Sequence, residues 1–123
     1  MTPESVKQTV IHRLSGLAQI PIAEAESYSH LCTSAASEFL PRLKGVPDEA
    51  QREKLLNLFA ATAYHRYLCL LMAREQHSQM TLSDVSVKND VKASCEAALN
   101  LKNLMLEDCA DILAVRGRVL YSV

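Results

Sequence analysis

Tryptophan is absent from this sequence, phenylalanine occurs twice, and only three glycines and four prolines punctuate its 123 residues. So few obligatory turn-formers, with alanine and leucine abundant, argue against many short strands and for helices. Aromatics are 5% of the chain, so its core has to be built from Leu, Ala, Val and Met. Neither sign of charge prevails: 13 basic residues face 14 acidic ones, for a net charge of −1. The basic excess or cluster typical of nucleic-acid binders is missing, and no sequence-specific nucleic-acid partner is expected. Also missing are G-x-S-x-G, P-loop, H-E-x-x-H and G-x-G-x-x-G patterns, so the chain reads as non-enzymatic.

The longest apolar stretch is interrupted. "LLNLFAATAYHRYLCLLMA", residues 55–73, contains Asn57, Thr62, His65 and Arg66. An arginine near mid-span costs about 2.5–3.5 kcal/mol on insertion scales, so a central helix inside a folded domain is expected rather than a membrane span. The N-terminal "MTPESVKQTV" has no apolar segment of the kind a secretion signal requires. With hydrophobic residues at 49% and charged residues at 22%, residues 1–123 read as one globular domain. A chain of this length buries roughly two thirds of its unfolded surface without a metal or disulfide staple.

Read in order, Thr2 is a candidate N-cap with Pro3 at the first helical position and Glu4 in the first turn. Val6, Val10, Leu14 and Leu17 recur at helical spacing, and Ile20-Pro21 ends this first helix near Leu17 to Gln19. A second helix is expected from about Pro21 to Leu40, its apolar face formed by Ala25, Tyr28, Cys32, Ala35, Phe39 and Leu43. Pro41 should end or kink it. "KGVPDE" then reads as a loop leading into a third helix, about Pro47 to Gln76, charged at first and apolar nearly all round from Leu55. "MTLSDVSVKND", residues 80–90, reads as an extended connector, because Leu82, Val85 and Val87 are split by polar residues. A fourth helix capped by Asn89 or Asp90 follows, with Val91, Cys95, Ala98, Leu101, Met105, Cys109 and Ile112 as its stripe and Gly117 as terminator. "RVLYSV" reads as a short non-helical tail. The expected fold is therefore all-α: a bundle of four main helices, an extended connector before the last, and a non-helical tail.

Leu99, Leu104, Leu106 and Leu113 lie outside the stripe of the last helix. Either the bundle wraps this helix broadly or a partner covers the surplus. The connector reads most plainly as a loop whose valines cap the bundle core.

The candidate chemistry is sparse. The four cysteines (Cys32, Cys69, Cys95, Cys109) form no C-x-x-C pair and lie among apolar residues, which reads as free thiols. His65 and Cys69 stand one helical turn apart, with Met72 near the same face and Cys32 able to approach from the second helix. That set defines the rival reading, a soft-metal site or an enzyme. No second pair has matching spacing, so no metal and no cofactor are expected. "YHRY", residues 64–67, reads as a core edge with Arg66 in an interhelical or intersubunit ion pair. Glu107, Asp108 and Asp111 read as a solvated helix face.

Taken together, the short opening helices, the alanine- and tyrosine-rich "LFAATAYHRYLCLLMARE", the "TLSDVSVKND" segment, the long "VKASCEAALNLKNLMLEDCADIL" and the "RGRVLYSV" tail resemble small helical head–tail connector proteins of tailed phages and prophages. The resemblance lies in element order and texture across most of the chain. It implies a non-enzymatic structural protein that forms a homo-oligomeric ring between portal and tail proteins. It implies a location in the host cytoplasm and then in the virion. It places subunit contacts at Leu82, Val85 and Val87, with Arg66 available for an ion pair. The alternative is a small helical adaptor or regulatory module that binds another protein through its last helix.

Overall fold

The computed structural model describes residues 1–77 and 85–114, with side chains described for 1–74 and 91–114. The fold is all-α, with five helices where the sequence predicts four: α1 (Pro3–Ala18), α2 (Ile22–Glu26), α3 (Ser29–Phe39), α4 (Glu49–His77) and α5 (Val85–Asp108). No helix among the described residues is long and apolar enough to cross a membrane.

Local chemistry sets both ends of α1. The Ser5 N–H donates to Thr2 Oγ1 at 3.1 Å and the Thr2 N–H donates to Ser5 Oγ at 2.9 Å, a reciprocal cap that satisfies two otherwise orphaned donors. Gln19 leaves the helix in the left-handed region at φ 56°, and the Ile20 N–H closes back onto the Ser15 carbonyl. Pro21 then excludes helical geometry at Ile20.

The second predicted helix is divided at Ser27–Tyr28. The Ser27 hydroxyl donates to the Glu24 carbonyl, giving the backbone a local alternative to the helical ladder. Tyr28 sits at φ −107°, ψ 21° and starts α3 instead of continuing α2. Its ring packs edge-on against Tyr67 at 4.9 Å, and its hydroxyl accepts from Arg74 at 3.0 Å. Tertiary anchoring of one tyrosine thus overrides a continuous helical pattern. The apolar face predicted for this segment is nonetheless the one that packs, since Ala25, Tyr28, Cys32, Ala35 and Phe39 are all buried.

Pro41 ends α3 in a single tight turn, Leu40–Arg42. Asp48 then opens α4 with a second reciprocal cap, exchanging 2.8 and 3.0 Å hydrogen bonds with Gln51. Helix α4 is the axis of the molecule. It packs against α1 and α3, which also touch each other, and separately against α5. That is why Leu55, Leu56, Leu58, Phe59, Ala60 and Ala63 are buried nearly all round it. One hydrophobic cluster draws residues from all five helices, with Phe39 stacked on Phe59 at 6.4 Å near its centre.

Helix α5 corrects the sequence reading at both ends. It begins at Val85, so Val85 and Val87 lie on helix and residues 85–90 are not an extended connector. The apparent alternation rested on three residues, whereas Val87, Val91, Cys95 and Ala98 stand four, four and three apart, in phase with the helix. No glycine or proline interrupts the run. Leu82 and the tail beyond Ala114 lie outside the described residues. The helix ends at Asp108, ahead of the predicted Gly117. Tight turns from Cys109 to Ile112 then bring the chain to a single antiparallel bridge between Leu43 and Leu113. The Lys44 N–H donates to the Ile112 carbonyl at 3.0 Å and the Ala114 N–H to the Arg42 carbonyl at 2.7 Å. Cys109, Ile112 and Leu113 are buried by this turn.

Candidate functional site

The face of α4 that meets α5 carries the one group of potential metal ligands among the described residues. His65 and Cys69, four residues apart, project from the same side of α4, with Cys69 Sγ 3.7 Å from His65 Nε2. The packing of α5 places Cys95 Sγ 3.5 Å from Cys69 Sγ. The three donor atoms all lie within 4.8 Å of one another. Cys69 is exposed, and Cys95 and His65 are half-buried, so the cluster sits at the solvent edge of the α4–α5 seam.

The electrostatics of the three differ. Partial burial lowers the His65 pKa, and the positive charges of Lys102 and Arg66 lower it further, which favours the neutral imidazole. Burial raises the Cys95 thiol, assisted by its hydrogen bond with Cys69. Cys32, the thiol that the sequence reading placed near His65 and Cys69, is not among the gathered donors. It is fully buried in the core, where desolvation pushes it up to about 11. Cys95 takes that place. Its position on the predicted α5 stripe was visible in the sequence, but its register against Cys69 was not.

Arg66 makes an interhelical ion pair within the chain. Its guanidinium donates to Glu38 and, at 2.9 Å, to Ser34 Oγ, both on α3. Tyr67 is buried against Tyr28 and Tyr64 is half-buried, so the "YHRY" segment lies at the edge of the core. Glu107, Asp108 and Asp111 are exposed.

A second feature is a cleft of about 320 Å³ between α1 and α5. Ala60 and Ala61 of α4 form its floor, and Leu17, Leu101 and Met105 form its walls. Arg13 closes its polar edge, donating to Asn57 at 2.7 Å and to Glu53 at 2.8 Å. Beside the cleft, Leu104 is 59% exposed, and Leu99 on the other flank of α5 is 40% exposed. From Val91 to Asp108, Ala98 alone is fully buried.

No known protein family, no curated protein and no solved structure matches the chain.

Proposed function

We propose that this protein is a non-enzymatic structural subunit of the head–tail connector type, assembling with copies of itself into a ring that joins the portal of a tailed phage or prophage to its tail. The observation that carries the reading is the one-sided packing of α5. Although α5 packs along α4, from Val91 to Asp108 it fully buries one residue and exposes Leu99 and Leu104, apolar surface that the described residues leave open. A repeated contact between identical copies would cover it, and rotational repetition of such a contact closes into a ring. The element order of the resemblance, with an alanine- and tyrosine-rich α4 followed by α5, supports the specific assignment. A net charge of −1 is compatible with a conduit through which DNA passes without being gripped.

Under this reading Leu82, Val85 and Val87 remain candidate contact positions. Val85 and Val87 would contribute from the first turn of α5. The host cytoplasm and then the virion follow as its locations.

Light scattering from micromolar to millimolar protein tests the reading. The expected result is one closed multimer favoured by concentration, with Leu104→Asp and Leu99→Asp shifting the mass toward monomer at unchanged helical content. A monomer at every concentration, or assembly indifferent to both substitutions, would refute self-association through α5. The monomer result would favour the adaptor reading, in which the alanine-floored cleft beside Leu17 receives a helix of another protein.

A further inference from the structure

We propose that His65, Cys69 and Cys95 form a zinc-binding site that clamps α4 to α5 and leaves one coordination position open to solvent. Around tetrahedral Zn²⁺, with bonds of about 2.3 Å to sulfur and 2.0–2.1 Å to nitrogen, neighbouring donors stand roughly 3.6–3.8 Å apart. The Cys69–Cys95 and Cys69–His65 separations, 3.5 and 3.7 Å, already match two edges of that triangle. The third edge is no longer than 4.8 Å. That edge runs from His65 to Cys95, so bringing it to the tetrahedral spacing falls to rotation of those two half-buried side chains.

The donor set decides the class of ion. Two sulfurs and an imidazole select a thiophilic cation over Mg²⁺ or Ca²⁺, which take oxygen ligands. Two thiolates also neutralise the double charge of the ion. Binding is a proton exchange: each cysteine gives up its thiol proton, both protons leave to solvent, the neutral imidazole donates its lone pair, and no electron is transferred.

The scaffold suits the task. His65 and Cys69 are held one turn apart by the hydrogen-bonded ladder of α4. Cys95 is held by α5, which packs along α4 more extensively than any other pair of elements. Three protein ligands with an exposed cysteine leave the fourth position facing water, where a water molecule or a donor from another molecule completes the tetrahedron. The site is independent of the connector assignment, since all three ligands come from one chain.

The test uses the full chain, reduced and then freed of reductant under anaerobic conditions, titrated with Co²⁺ alone as a spectroscopic stand-in and then with Zn²⁺. One Co²⁺ per chain should give the intense visible bands of a tetrahedral site together with sulfur-to-cobalt charge transfer. Zn²⁺ should abolish both. Cys69→Ser, the safest variant because Cys69 is exposed, should remove most of the charge transfer and weaken Zn²⁺ binding by more than about tenfold, the least that loss of a supporting group costs. Cys95→Ser should do the same, and His65→Ala should weaken metal binding while metal still bound keeps its sulfur charge transfer, both at unchanged helical content. Cys32→Ser should leave the spectrum intact. Absence of charge transfer at one equivalent would overturn the proposal. So would a spectrum that survives both Cys69→Ser and Cys95→Ser, or loss of two titratable thiols without metal, which would mark a Cys69–Cys95 disulfide instead.

Discussion

Thr62 offers a clean test of the packing around α4. It is the buried polar residue of the core, with no exposed surface, and its Oγ1 has no hydrogen-bond partner among the described residues. Replacing a buried hydroxyl that lacks a partner removes a desolvation cost of about 1–3 kcal/mol. Thr62→Val does so at constant shape, with both residues β-branched and nearly equal in helix propensity. Stabilisation of about 1–2 kcal/mol is therefore expected. For a chain of this length that raises the melting midpoint by about 4–8 °C. The assay is thermal and urea unfolding followed by helical circular dichroism, with the urea midpoint shifted and the slope unchanged. Thr62→Ser keeps the hydroxyl and deletes the methyl, so it should destabilise. If Thr62→Val is neutral or destabilising, the reasoning fails. The hydroxyl would then have a partner, such as the carbonyl one turn back on α4 or an internal water.

Two further outcomes follow from the ion pair and from the buried thiols. Arg66→Ala removes contacts to both Glu38 and Ser34 and should cost about 1–2 kcal/mol, because each partner of the ion pair is only about one-third exposed. Arg66→Lys should recover part of this at most, since a point charge cannot span both acceptors. A loss of only a few tenths in urea titrations would show that solvent screening has cancelled the pair. Burial raises Cys32 and Cys109 to about 11 from an ordinary 9.0, helped at Cys109 by Asp108 and Asp111. The folded state thus keeps protons that the unfolded state releases. The stabilisation is complete below about pH 9 and fades as pH rises toward 11, by on the order of 2 kcal/mol for Cys32. Urea midpoints measured between pH 8 and 11 should fall less steeply in Cys32→Ala, and equal slopes in both proteins would contradict the assignment.

The elements that local chemistry controls were legible in the residues. Thr2 and Pro3 start α1 where expected, Pro21 follows its end, and Pro41 stops α3. Helix α4 runs within two residues of its predicted bounds at each end. Each of these depends on a hydroxyl, a missing N–H or a ring clash acting within one turn. The apolar faces were equally legible, because the 3.6-residue period is written along the chain. By contrast, the break at Tyr28 is secured by Tyr67 and Arg74, both on another helix. The end of α5 at Asp108 coincides with the pairing of residues 112–114 to residues 42–44. Ser27 weakens the ladder locally at the first of these, but a lone serine does not announce a break, and no local pattern announces the second.

The candidate site divides in the same way. His65 and Cys69 are four apart, so their meeting needs only a helix, and the sequence determined it along with the all-α class and the apolar stripes. Cys95 could join them only once α5 had settled on α4 in one register. The packing of α3 against α1 and α4 drew Cys32 into the core, and the register of α5 left Leu99 and Leu104 outside it. Tertiary structure decided these outcomes, because helix register is set by side chains interlocking across two surfaces that are far apart in the chain.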